Sequence, residues 1–110
     1  MIPKSLKIIG KDYTVTYEHM QGCIGCCDDF EQRINIDPKT PYQLQKDTLL
    51  HEVIHAIDYA VKTKLSEEQV SALATGLYAV FSDNPNFMEW LNEQPAKRPK
   101  QRNPKSAKKS

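Results

Sequence analysis

The segment TPYQLQKDTLLHEVIHAIDYAV, residues 40–61, decides how this chain folds. Its pattern repeats every three to four residues, which predicts one long amphipathic helix. Thr40 suits the N-cap of that helix, and Pro41 suits its first turn. The positions that recur at helical spacing are Leu44, Thr48, His51, His55 and Ala56.

Short β-strands are predicted before this helix, because the pattern there has a period of two. Residues 6–9 are apolar and residues 13–17 alternate, so the two segments predict a β-hairpin that turns at residues 10–12. Residues 33–37 predict a third strand with alternate residues facing inward. The glycine-, cysteine- and aspartate-rich residues 21–29 predict a loop or an irregular hairpin. We therefore expect an α+β fold in which a small three-stranded antiparallel sheet packs against helices.

Two further helices are predicted after the first. Ser66 and Gln69 fit a capping box that starts a second helix. A short third helix is expected at about residues 85–92. One apolar face is expected on the second helix, formed by Val70, Leu73, Leu77, Val80 and Phe81.

The composition indicates one small folded domain with a tail of different character. The chain has 110 residues with 39% hydrophobic and 26% charged residues, as in ordinary globular proteins. We expect one folded domain at residues 1–94 and a disordered basic tail at residues 95–110. No apolar run is long enough to span a membrane and no secretory signal is recognisable, so we expect a cytoplasmic protein.

The charge is unevenly distributed between these two parts. The tail holds 7 of the 15 basic residues and no acidic residue, so 8 basic residues face all 14 acidic ones in the remainder, a net charge of about −6. A basic tail allows contact with nucleic acid through phosphates. It lacks interleaved aromatic residues, however, and a solubilising extension is the favoured interpretation.

The chemistry is concentrated in His51-Glu52-Val53-Ile54-His55, which matches the pattern H-E-x-x-H. Histidines four residues apart lie on one helical face, so both imidazoles can bind one zinc ion. Glu52 lies beside them as the candidate general base, which takes a proton from the water that zinc activates. Two histidines and a glutamate in a helix this apolar would be costly to bury without a partner. The pattern therefore predicts a catalytic Zn²⁺ site.

A catalytic zinc ion usually has three protein ligands. His19 is the only other histidine, and nothing in the sequence brings it near the helix. Glu67 and Glu68 begin the second helix, which can fold back across a short connection and bring a carboxylate to the metal. Either of them also suits the positive end of a helix dipole, so the choice between them stays open on spacing alone.

Residues 48–58, TLLHEVIHAID, together with Glu67, Val70 and Leu73, resemble the ImmA/IrrE-type metallopeptidases, and most closely the small phage-encoded members. The resemblance covers about residues 5–92. It implies a three-stranded sheet packed on helices and a gluzincin-like site, with Glu67 as the third ligand. Valine and leucine replace the usual alanine and phenylalanine at positions 70 and 73. The resemblance also implies a protein substrate, such as a regulator, and the host cytoplasm as the location of a phage-encoded protein.

Several polar residues near the motif have two interpretations. Asp58 can orient a histidine by accepting its second N–H, or it can cap a backbone group.

The thiols of Cys23, Cys26 and Cys27, with His19, can form a second metal site, but no distant segment supplies its second half. Free loop thiols are the favoured interpretation, since three closely spaced cysteines make a poor disulfide framework.

Two functions from different classes follow. The first is a zinc metallopeptidase that hydrolyses a peptide bond of a protein substrate with Glu52 as the base. The second is a zinc-stabilised regulatory module that contacts protein or nucleic acid with little or no peptidase activity. The intact Glu52 favours the enzyme, because a structural zinc site does not need a base. No residue indicates the substrate or the oligomeric state.

Overall fold

The structure is a computed structural model that describes residues 2–94. Its first element is a β-hairpin. Strand β1 (Ser5–Ile8) pairs antiparallel with β2 (Lys11–Thr16). Ile9 and Gly10 form the two-residue turn with φ of 44° and 80°. Positive φ at both central residues matches the type I′ turn that suits the twist of paired strands. The hairpin is confirmed, and its turn lies slightly earlier than predicted.

The sheet has four strands and is mixed, so the prediction of a three-stranded antiparallel sheet is wrong in this detail. Its strand order is β1-β2-β4-β3, in which β3 (Gly25–Asp28) and β4 (Arg33–Ile36) are antiparallel, and β2 and β4 are parallel. After β2 the chain skips the neighbouring position in the sheet and forms β3 at the edge. It then turns back and forms β4 between β2 and β3, parallel to β2.

The extra strand comes from the segment that was predicted as a loop or irregular hairpin. Its sequence, Gly-Cys-Cys-Asp, lacks the β-branched and aromatic residues that favour strands. The segment forms a strand because it pairs with β4, and this pairing stabilises it where the local sequence does not. Asp28 closes the turn to β4, because its carboxylate accepts hydrogen bonds from the backbone N–H groups of Phe30 (3.1 Å) and Glu31 (3.0 Å).

One long helix, α1 (Tyr42–Val61), packs on the inner face of this sheet. Ile34 and Ile36 are fully buried there, as predicted. Burial of one such side chain contributes about 1.5–3 kcal/mol. The core cluster consists of Ile8, Tyr13, Ile34, Ile36 and Ala56, with Leu49 and Val53 packed against it.

The start of α1 differs from the prediction. Pro41 occupies the N-cap position, one residue later than expected. The Thr40 hydroxyl donates instead to the carbonyl of Asp37 at 2.8 Å. Thr40 therefore stabilises the turn that follows β4 and does not cap the helix.

Helix α2 (Glu67–Asp83) begins with the predicted capping box. The N–H of Ser66 donates to the Gln69 side chain at 2.9 Å, and the N–H of Gln69 donates to the Ser66 hydroxyl at 3.1 Å. Val70 and Ala74 are buried against Ile54 of α1.

The apolar face predicted for α2 is only partly right. Val70 is fully buried, but Leu73 and Leu77 are 45% and 36% exposed. The buried stripe runs through Val70 and Ala74, which are four residues apart on one face of the helix and pack with Ile54 of α1.

The chain divides into two compact units, Met1–Val80 and Phe81–Ser110. In the described part, the second unit contains the end of α2 and a short helix, α3 (Pro85–Leu91), close to the predicted span. The tail predicted to be disordered, residues 95–110, lies outside the described residues. None of the helices in residues 2–94 is long and apolar enough to cross a membrane.

Candidate metal centre

The two motif histidines lie side by side on α1. His51 and His55 are four positions apart in the sequence, and their ring centroids are 4.9 Å apart. Their side chains are 24% and 28% exposed, so both rings are held by the fold and still reachable from solvent. Leu50 and Ile54, which precede the two histidines directly in the sequence, pack in the apolar cluster with α2. This packing sets the rotation of α1 and places both histidines along its border with α2.

Glu67, the first residue of α2, meets both histidines. One carboxylate oxygen lies 3.1 Å from Nε2 of His51, and the other lies 3.0 Å from Nε2 of His55. A sharp turn makes this contact possible, because Lys62 and Lys64 adopt left-handed conformations with φ of 55° and 58°. The chain thus reverses directly after α1 and returns Glu67 to the imidazoles.

This arrangement could hold a metal ion. His51, His55 and Glu67 each offer one donor atom, and these atoms lie within 4.8 Å of one another. Two imidazole nitrogens and one carboxylate oxygen are a suitable donor set for borderline divalent metals. Within residues 2–94, this is the one group of three or more histidine, cysteine or acidic residues with that spacing, and Glu68 is not part of it.

Glu52 lies next to this group and is almost completely buried, with 7% of its surface exposed. Burial raises the pKa of its carboxyl group, and the neighbouring His51 and His55 act in the opposite direction. Among the described residues, no group donates a hydrogen bond to this carboxylate. Glu52 is therefore a desolvated carboxylate, which makes it a stronger proton acceptor than an exposed one.

Two open spaces flank the cluster, and Glu52 and His51 line both of them. We call the larger one, about 760 Å³, the Asp47 groove. Its lining residues are His19, Met20, Gly22, Cys23, Ile24, Gly25, Asp37, Leu44, Asp47, Thr48, His51, Glu52 and Ser71. We call the smaller one, about 500 Å³, the Asp29 hollow. Its lining residues are Gly25, Cys26, Cys27, Asp29, His51, Glu52, His55, Asp58, Tyr59 and Glu67.

The edge strand β3 forms a wall of both spaces and approaches α1 closely at Gly25. A Cβ atom at this position would clash with Cγ2 of Thr48 and lie 3.3 Å from a carboxylate oxygen of Glu52. Two residues further along β3, the half-buried Cys27 thiol donates to Asp29 at 3.3 Å. Burial, followed by the contact with Asp29, raises the pKa of this thiol, so it stays protonated at neutral pH.

Asp58 anchors the turn between the helices. Its carboxylate accepts hydrogen bonds from the Thr63 hydroxyl and from the backbone N–H of Leu65. The Thr63 hydroxyl is the main cause that lowers the pKa of Asp58, followed by backbone donors that include Leu65. Of the two sequence interpretations, the structure supports the cap: Asp58 stabilises the reversal that presents Glu67.

The suggested second metal site is not formed by the residues considered for it. Cys23, Cys26 and Cys27 are free, and in residues 2–94 they belong to no group of three donors with metal-site spacing. His19 instead places Nδ1 2.9 Å from a carboxylate oxygen of Asp37. The interpretation as free thiols agrees with this geometry.

Sequence reasoning missed Gly25 and Asp47. A glycine inside a strand often marks a close backbone approach, but the local sequence does not predict a strand at this position. Asp47 precedes His51 by four residues, so helical spacing alone places it on the same face. This spacing is therefore a signal for Asp47 that the sequence does contain.

Comparison of the chain with family models, with curated proteins and with solved structures gave no match. The candidate function therefore depends on the geometry of the site and on the motif residues themselves.

Proposed function

We propose that this chain is a metal-dependent hydrolase. The observation that carries the proposal is the group of His51, His55 and Glu67 beside a buried glutamate, Glu52, that lines both flanking spaces. A site that merely stabilises a fold is normally closed by four protein ligands. Three donors next to an unpaired carboxylate are typical of a site that acts on a ligand.

More specifically, we propose a zinc-dependent metallopeptidase. Imidazole and carboxylate donors suit zinc, and H-E-x-x-H on a helix is a common zinc-binding pattern of peptidases. The resemblance of residues 48–58 and of Glu67 to the ImmA/IrrE-type metallopeptidases favours the same activity. When bound, zinc would polarise the substrate carbonyl and make water a better nucleophile at neutral pH.

The protein residues then have distinct roles. His51, His55 and Glu67 hold the metal, and Glu52 accepts a proton from the attacking water. Its raised pKa suits this role, since a general base works best when its pKa lies near the working pH. The protonated Glu52 then donates that proton to the nitrogen of the leaving amine. Its near-complete burial limits the contact of the carboxylate with bulk water.

Strand β3 gives a peptide a place to bind. It is one of the two edge strands of the sheet, and Gly25, Cys26 and Cys27 lie along the Asp29 hollow. An edge strand offers backbone N–H and C=O groups with which an extended peptide can pair. A peptide bound in this way would pass directly beside Glu52 and the histidines, which favours a protein substrate over a small molecule.

The test combines metal content with one substitution. Protein purified without added metal should contain about one zinc per chain, and Glu52→Gln should keep both the fold and the zinc. Loss of general-base catalysis should reduce cleavage by about 10²–10⁴-fold. Glu68→Gln is the matched control, because this neighbouring glutamate lies outside the donor group.

The substrate is found by comparing which proteins disappear from cells that express wild type or Glu52→Gln. A protein lost with wild type and retained with Glu52→Gln supports the peptidase. If no protein is lost, or if a protein is lost equally with both, the alternative zinc-stabilised binding module is the better description. A zinc content near zero would contradict both.

A further inference from the structure

The Asp47 groove combines apolar walls with an available carboxylate. Met20, Ile24 and Leu44 contribute apolar surface, and Asp47 lies on α1 one helical turn before His51, about 6 Å along the helix axis. A side chain that lies in this groove can therefore contact apolar surface and also reach a carboxylate about one helical turn from His51.

Two carboxylates besides Glu52 line the groove, and they differ in how their oxygens are used. The buried Asp37 binds His19 with one oxygen and the backbone N–H of Lys39 with the other, both at 2.9 Å. Half-buried Asp47 receives, among the described residues, a single long hydrogen bond of 3.4 Å from the Thr75 hydroxyl. Its carboxylate can therefore accept a stronger, charge-assisted hydrogen bond.

Acidic side chains outnumber permanently basic ones around the cluster. No lysine or arginine is among the described residues that line the Asp47 groove or the Asp29 hollow, whereas six carboxylates line them. Those carboxylates are Asp29, Asp37, Asp47, Glu52, Asp58 and Glu67. Glu52 is 93% buried, as its exposure of 7% implies, and it has no hydrogen-bond donor in residues 2–94. This concave, acidic surface is complementary to a cationic ligand.

We propose that the Asp47 groove is a specificity subsite that receives a lysine or arginine side chain of the substrate close to the cleaved bond. The inference depends on the proposed peptidase function and names its substrate class: a basic segment of a protein. The hydrocarbon stem of the side chain packs on Met20, Ile24 and Leu44, and its charged head pairs with Asp47. Metal binding remains the proposed role of His51, His55 and Glu67, and proton transfer remains the proposed role of Glu52.

The experiment separates binding from cleavage. The zinc-loaded Glu52→Gln variant is immobilised and exposed to a synthetic library of decapeptides with randomised positions, and the retained peptides are sequenced. We expect lysine and arginine to be enriched at one position. Adding Asp47→Asn should reduce that enrichment by about tenfold, the effect of losing one hydrogen bond to a charged group. Adding Asp47→Lys should shift the preference to acidic residues.

Asp12→Asn is the matched control, because Asp12 pairs with Lys7 on the β1–β2 hairpin and does not line the groove. It should leave the enrichment unchanged, and all variants should keep their zinc. Wild type is then tested for cleavage of the same library.

Cleavage beside the enriched basic residue supports both proposals. Retention without any cleavage would overturn the peptidase function and leave the groove as a binding site for basic peptides. Cleavage without a basic preference, or with a preference that survives both Asp47 substitutions, would overturn the subsite. Neither retention nor cleavage would overturn both proposals.

Discussion

Replacing Gly25 with alanine tests whether the contact between β3 and α1 is as close as the structure indicates. The added Cβ would clash with Cγ2 of Thr48 and would lie 3.5 Å from the carbonyl oxygen of Asn35. Thr48 is 6% exposed and has a stiff, β-branched side chain, so its methyl group cannot simply rotate into solvent. Either the helix or the edge strand must move.

The expected magnitude is the difference between two effects. Overpacking of a well-filled interior costs about 1–3 kcal/mol. Alanine recovers about 0.4–1 kcal/mol, because it restricts the unfolded chain more than glycine does. Gly25→Ala should therefore destabilise the protein by about 1–2 kcal/mol. Gly76→Ala is the control, since nothing lies within 4 Å of a Cβ in that position of α2, and it should stabilise by about 0.5–1 kcal/mol.

Urea unfolding of both variants measures these changes, and Thr48→Ser completes the cycle by removing the methyl group that clashes. The Gly25→Ala/Thr48→Ser double variant should be more stable than the sum of the single changes predicts, by about 1 kcal/mol. If Gly25→Ala stabilises the protein as Gly76→Ala does, or if Thr48→Ser gives no relief, the close contact between β3 and α1 is refuted.

Three further predictions concern the site. Glu67→Gln should weaken zinc binding by about 100-fold or more, since even residues that only hydrogen-bond to metal ligands contribute about 10–100-fold. Glu68→Gln should change zinc binding little. Equal losses of affinity in a zinc titration would contradict the donor group. Asp58→Asn should lower the melting temperature at pH 7. Because hydrogen bonds lower the pKa of Asp58 below its ordinary 3.8, the contribution is complete above that value and is lost as the pH falls through the lowered pKa; a gap that persists at the lowest pH would contradict this origin. In metal-free protein, Glu52→Gln should raise the stability by about 1 kcal/mol at neutral pH, because it removes a buried charge that has no hydrogen bond. Burial raises the pKa of Glu52, so this gain should shrink as the pH falls through the raised value towards 4.5, and calorimetry that shows a constant gain would refute it.

The helices were the most predictable part of the fold, because their signals are local. The spacing of His51 and His55 places both on one face of any α-helix, whatever surrounds it. The capping box at Ser66 fixes where α2 begins. With a short connection before it, the first turn of α2 must return close to the end of α1. That is why a carboxylate near the histidines could be expected from sequence.

The choice between Glu67 and Glu68 could not be made from spacing alone, since adjacent helical residues differ in direction by about 100°. It depends on the left-handed residues Lys62 and Lys64 and on the Asp58 anchor, which set the rotation of α2. Strand β3 was missed for a related reason. Gly-Cys-Cys-Asp forms a strand only because β4 supplies its hydrogen bonds, and pairing between distant segments leaves little trace in local composition.

The position of Glu52 connects the stability of the fold to the proposed chemistry. A buried, charged carboxylate opposes folding, and the apolar clusters on the other faces of α1 must offset it, one with Ile54 against α2 and one with Ala56 against the sheet. Gly25 belongs to the same arrangement, because any side chain there would push β3 away from α1 and expose Glu52 to more water. Water would return the pKa of Glu52 towards its ordinary value and weaken it as a base. Substitutions that relax this contact should therefore reduce activity more than they reduce zinc binding, since His51, His55 and Glu67 are held by the contact between the two helices and not by β3.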